Sequence, residues 1–371
     1  MNKNILFSAL SLSLCVGTIL DAKKQINANR LVATINVGVT PTGIAIAPNN
    51  KYAYVANNNN YGLVNGDSVS IINLKNNTIL ATLLHPSFNE PYTITINNAG
   101  TRAYVTNSNS TTITIIDIRT NTIAGVIDGF DGPSGMAISP DDSTGYVNNY
   151  GGPEGVQSGN GKTVSVVDLS TNTIIDTIVV DLAPAGLAIT PDGAFVYVIN
   201  YVDGNPGTGT ISVIQTSSNT VVATIDGFSG PFDIAITPNG QFAYVTNFGS
   251  NNFAPVGTTV SVVNISNNTI VATIQVGIQP SGIAISPDGN HAYVAIYDTL
   301  YAGANFTALT AAQGVVVIID IATNTVIAPI LAVGQSPNKI AVTPNGAFAY
   351  ISNYISNSVS VLNILERMWL K

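Results

Sequence analysis

A short string, Ala-Tyr-Val-Thr-Asn and its close variants, returns along the whole chain and limits what the chain can fold into. Aligned on its tyrosine, it gives Tyr54, Tyr104, Tyr146, Tyr197, Tyr244, Tyr293 and Tyr350, with successive spacings of 50, 42, 51, 47, 49 and 57 residues. The same pieces surround every copy. A proline leads into a strand such as "IAIT", and "PNG" or "PDG" turns the chain back into "AYVTN". A loop of variable length follows, then "VSVVD", a "TNT" turn and "IVATI". In the first turn Pro presets φ, Asn or Asp bonds back to the backbone, and Gly accepts the left-handed conformation that closes a hairpin. Along "AYVTN" the side chains alternate between sheet faces, Ala and Val one way, Tyr and Thr the other. Neither face is charged, as expected of a sheet stacked between two neighbours.

Four short antiparallel strands recurring at this period make a β-propeller blade, and seven copies make seven blades. Closure of the ring can be read from the two ends. The last copy supplies three strands and then runs out in "ERMWLK", while "NRLVATINVG" at 29–38 matches "NTVVATIDGF" at 219–228 position for position. The N-terminal strand is therefore expected to complete blade seven and remove an open sheet edge. The strand-ending Asn57, Asn107, Asn149, Asn200, Asn247 and Asn353 are expected to cap the turn into the loop. Asp117, Asp168 and Asp320, with Asn73, Asn264 and Asn363, are expected to cap the "TNT" turn.

These units resemble the YVTN β-propeller repeats of archaeal surface-layer and bacterial envelope proteins, over residues 29 to 365. The resemblance implies the propeller fold and a location outside the cytoplasm. Related propellers include binding proteins and a lactonase-like branch, so it implies no single activity. The N-terminus agrees on location. An apolar run from Ile5 to Leu20 follows Lys3, too short to span a bilayer and suited to a secretory leader over 1–22. The propeller then occupies 23–365 and a tail 366–371, with no transmembrane span expected after leader removal. Cys15 is the only cysteine of the 371 residues, so no disulfide can form within the chain. Periplasmic, cell-surface or secreted placement is expected.

Functional residues should stand where the copies disagree. The loops before strand one and after strand two share one end of the channel, the top, and there the copies vary most, at 57–67, 148–162, 247–259 and 297–314. Two residues after the leading proline, four blades carry Gly43, Gly135, Gly186 and Gly282, but the others carry Thr93, Asp233 and Lys339. Those three are the candidate ligand-binding residues at the channel mouth. Acids dominate the top: Asp67, Glu90, Asp128, Asp131, Glu154, Asp181, Asp203, Asp226, Asp233 and Asp298 against Lys162 and Lys339. With a net charge of −8, the face favours cations or a basic partner over nucleic acid, whose binding needs Lys and Arg on phosphates.

Chemistry-bearing patterns are scarce. Of the two histidines, His291 reads as a packing or surface residue, whereas His85 in "LLHPSFNEP" lies five residues before Glu90 on the top. That pair is a candidate acid and base, or pair of metal ligands, with Asp233 and Lys339 as further candidates at the mouth. "DGFDGPSG" at 128–135 lacks the spacing of a calcium loop. No cofactor and no metal are expected. The expected function is an exported, non-catalytic scaffold that binds a protein, a glycan or a small ligand through its top face. The alternative is a lactonase-like hydrolase or isomerase working at the channel mouth.

Overall fold

The computed structural model describes residues 30–59, 62, 66–152, 159–202, 207–249, 256–297 and 313–364. The expected leader, Cys15, the C-terminal tail and parts of five top loops, with Glu154, Asp203 and Asp298, lie outside the described residues. Within them 28 strands form seven four-stranded antiparallel sheets. Blades one to six run in order along 41–83, 91–128, 133–179, 184–228, 231–275 and 280–333. Blade seven takes three strands from 337–363 and its outermost strand, Arg30–Asn36, from the other end of the chain. Arg30 faces Asn363 and Asn36 faces Ser358 in that pairing. The protein is a seven-bladed β-propeller, closed between its ends as the sequence match requires.

Packing explains why the sequence is so poor in charge. Only 9% of residues are charged, against a usual figure of roughly 25%. The two inner strands of each blade are covered on both faces, and an apolar cluster fills each of the seven gaps between neighbouring blades. One cluster joins Tyr244, Val260 and Val262 of blade five to Ile283, Val294 and Val317 of blade six. Another closes the ring, placing Tyr350 and Val361 of blade seven, with Ile35 of the N-terminal strand, against Ile44 and Val55 of blade one.

The motif tyrosine also ties one blade to the next. Tyr54, Tyr146, Tyr197, Tyr244 and Tyr350 donate their hydroxyls to the side-chain oxygens of Asn121, Asn219, Asn268, Asn324 and Asn77, each in the following blade. Four of these contacts are 2.5 to 2.6 Å long and the one from Tyr146 is 3.3 Å. All five acceptors stand at positive φ, between 51° and 56°, the left-handed turn position that Asn tolerates. Burial raises the phenols of Tyr197, Tyr244 and Tyr350 to about 12. They stay protonated donors through neutral pH.

The strand-ending asparagines do something other than cap a turn. Each amide nitrogen reaches across to strand three and binds two hydroxyls there. Asn57 takes Ser68 and Ser70, Asn200 takes Thr210 and Ser212, and Asn353 takes Ser358 and Ser360. Asn107, Asn149 and Asn247 repeat the pattern. The reason is geometric: alternate residues of strand three share one face, so both hydroxyls meet the same amide. Blade six replaces the trio at once, with Ile296, Val315 and Val317 packed together. At the other turn the expectation stands, since Asp117, Asp168 and Asp320 accept backbone amides two or three residues on.

Candidate functional site at the channel mouth

Every blade interrupts its register just after the leading proline, between Pro41 and Ile44, Pro231 and Asp233, Pro337 and Ile340, and at the equivalent places in the other four. Such irregularities re-aim side chains locally. They lift the residue after the proline, and in four blades the next one as well, out of the plain ladder at the top of the channel. Asp233 donates its amide to the Thr246 hydroxyl at 3.0 Å instead of to a strand carbonyl.

Asp233 and Lys339 meet. The ammonium lies 2.7 Å from one carboxylate oxygen of Asp233, and the two side chains are only 13% and 19% exposed. The other oxygen accepts the amide of Ile283 at 3.0 Å. The pair spans blade six, and Gly282 is what makes room. A Cβ there would stand 2.4 Å from the Asn338 carbonyl oxygen and 2.7 Å from the Lys339 Cα. Thr93 is placed apart from this pair. Its amide donates to the Thr106 hydroxyl at 3.0 Å and its own hydroxyl donates to the Ser134 carbonyl at 2.7 Å, so it ties blade two to blade three.

Aromatic residues, not charges, make up most of the mouth. The Lys339 ammonium sits 5.6 Å from the centre of the Phe232 ring. Phe232 packs on Phe248 with centroids 5.2 Å apart, and Phe248 meets the edge of Tyr297 at 5.8 Å. Beside them a cavity of about 150 Å³ is lined by Tyr92, Ser134, Tyr150, Ala185, Tyr201, Phe232 and Phe248, from blades two to five. Burial pushes the Tyr92 phenol well up from its ordinary value, with Tyr150, Asp233, Tyr354 and Tyr297 adding to the shift. Sequence reasoning missed this lining. The signal lay one residue beyond the motif, where the strand-ending position is followed by Tyr150, Tyr201, Phe248, Tyr297 and Tyr354 in blades three to seven but by Asn58 and Ser108 in blades one and two.

His85 and Glu90 occupy the loop into blade two and engage different partners. The His85 Nδ1 lies 2.7 Å from the Ser87 hydroxyl, and its ring meets the edge of Phe88. Glu90 donates its amide to Asp67 at 3.1 Å and holds a positive φ of 49°. Burial raises the carboxyls of both Glu90 and Asp67, and the Asp67 charge raises Glu90 further. The Glu90 backbone carbonyl accepts from Ser108, which fastens the loop to blade two. His291 is buried in the second strand of blade six, as packing requires. Among the described residues no three His, Cys, Asp or Glu side chains gather as metal ligands, and no helix is long and apolar enough to cross a membrane. A larger hollow of about 560 Å³ lies between the bottom turns of blades four and five, around Pro191, Tyr197, Pro238 and Asn268. It is built from turn residues that recur around the ring, so it belongs to the scaffold.

No protein-family model matches the chain. It is 34% identical over 145 residues to the seven-bladed β-propeller protein Rv1057 of Mycobacterium tuberculosis, covering 38% of this chain and 33% of that one. It is 27% identical over 174 residues to the YncE protein of Salmonella typhi, covering 46% of this chain and 44% of that one. The chain thus spans between a third and a half of these curated relatives. Among solved structures, a chain of Kuenenia stuttgartiensis hydrazine synthase superposes with a TM-score of 0.73 over 87% of this chain and 95% of its own length, at 22% identity. At that identity the likeness shows the fold alone. The relatives and the seven sheets agree on a propeller protein.

Proposed function

We propose that this propeller is a non-catalytic binding scaffold whose recognition site is the aromatic mouth of its channel. One observation carries the reading. The two charged side chains at the mouth already hold each other, while the aromatic residues beside them line a cavity. Asp233 holds Lys339 and the Ile283 amide, and Thr93 holds Ser134. A partly buried ion pair with both carboxylate oxygens occupied is a fixed wall and not a proton shuttle. Rigid sites on well-packed elements also suit binding, because little ordering is left to pay for when the ligand arrives.

The surrounding top face is where insertions accumulate, and in repeat proteins insertions confined to one face mark the binding face. Resemblance to YVTN-repeat envelope proteins, together with the Ile5–Leu20 run, supports export; N-terminal sequencing of the protein from fractionated cells tests that part. The binding reading is tested with soluble envelope glycans and proteins presented to the purified chain and to a Phe232→Ala/Phe248→Ala variant. The expected result is retention by the wild type and loss by a variant that still melts cooperatively. Undiminished retention by the variant would move the site elsewhere on the top face.

A further inference from the structure

We propose that the cavity at the channel mouth is an aromatic cage for a quaternary ammonium group of the choline type. The inference rests on the mouth being the recognition site and adds the chemical class it takes.

Three observations lead there. First, rings converge from four blades, with Tyr92 from blade two, Tyr150 from three, Tyr201 from four, and Phe232 with Phe248 from five. Aromatic faces carry negative charge density and attract a cation placed over them. The protein already seats one there: the Lys339 ammonium lies 5.6 Å from the Phe232 centroid.

Second, much of the mouth's hydrogen-bonding capacity is committed internally. Both oxygens of Asp233 are occupied. The Tyr201 hydroxyl donates to the Gly249 carbonyl at 2.7 Å. Asn148 donates to the Ser134 hydroxyl and to the Pro184 carbonyl at 2.9 and 2.6 Å. A sugar ring needs many new hydrogen bonds, and a primary ammonium or a metal ion needs several acceptors. A quaternary ammonium has no N–H to satisfy and is weakly hydrated, so ring faces alone can hold it.

Third, the rim has the complementary charge. Asp131 and Asp181 are exposed on the loops into blades three and four, and Asp128 and Asp226 are exposed towards the top ends of the outer strands of blades two and four, against Lys162 on the same face. Such a rim raises the local concentration of cations and weakens as salt screens it.

The test is calorimetric titration of the full chain with choline and with 3,3-dimethyl-1-butanol, which has the same shape without the charge. Saturable choline binding, at least roughly tenfold tighter than the neutral isostere, is the expected result. Phe232→Leu keeps bulk but removes a ring face and should weaken choline roughly tenfold; Tyr150→Leu gives a second reading if the first variant is unstable. Equal affinity for the two compounds, or no saturable choline binding, overturns the ammonium class. If choline fails while the double phenylalanine variant still loses its envelope ligand, the binding site stands and only its chemistry is wrong. Phosphatidylcholine vesicles run beside free choline tell a lipid headgroup from a free solute, both of which fit the cage.

Discussion

The gaps between blades and the mouth of the channel use the same aromatic chemistry for opposite ends. Between blades, Tyr54, Tyr197, Tyr244 and Tyr350 are at most 1% exposed and point their hydroxyls at turn asparagines of the next blade. At the mouth, Tyr92, Tyr150, Tyr201 and Phe232 are partly buried and border a cavity. The first set recurs around the ring, and its geometry is satisfied within the protein. The second set breaks the repeat from blade to blade and lines a cavity instead of an inter-blade core. Repetition here marks stability, and departure from repetition marks recognition.

The comparison breaks first, and most completely, at the closing strand. Deleting residues 30–36 would expose the edge of the third strand of blade seven and uncover the cluster around Ile35, Tyr350 and Val361. Loss of the cooperative thermal transition is expected. A melting curve like that of the whole chain would mean the ring closes some other way.

Alkaline pH attacks all the latches together. Tyr197, Tyr244 and Tyr350 titrate near 12 when folded against an ordinary value of 10.0. A folded pKa raised above the unfolded one gives stability that is complete below the unfolded value and is lost as pH climbs through the folded one. Melting temperature should therefore hold between neutrality and about pH 9, then fall steeply from about 10 towards 12. A flat profile across that window would remove the buried phenols from the account of stability.

A single latch is the next smaller effect. Tyr244→Ala empties a fully buried site and should cost about 3–5 kcal/mol in chemical denaturation. Tyr244→Phe loses only the bond to Asn324 and should cost about 1 kcal/mol. Smaller than the loss of the whole tyrosine, and at the mouth, Gly282→Ala forces a methyl against the Asn338 carbonyl and Lys339. About 1–3 kcal/mol is expected, together with lengthening of the Asp233–Lys339 contact in a crystal structure of the variant.

Most of the scaffold was legible in the chain because repetition supplies its own alignment. Seven tyrosines at propeller spacing, and a stray strand at 29–38, were enough for blade count and closure. The double hydroxyl clamp on each asparagine was not, since it depends on which face of strand three meets strand two. Asp233 and Lys339 announced themselves by replacing glycine. Their contact across blade six could not be read locally, because it exists only where Gly282 offers no side chain between them. The aromatic lining stayed hidden for a plainer reason. Tyr150, Tyr201 and Phe248 stand just past the motif, and Tyr92 and Phe232 just past the leading proline, and each looks like ordinary packing until the ring of blades brings them together.

The division of labour between the two regions is tested most directly by measuring stability and choline affinity on the same pair of variants. Tyr244→Phe should lower the unfolding free energy by about 1 kcal/mol and leave choline affinity at the wild-type value. Phe232→Leu should leave unfolding nearly unchanged and weaken choline roughly tenfold. If affinity instead tracks stability across both variants, the mouth is scaffold like the rest of the ring.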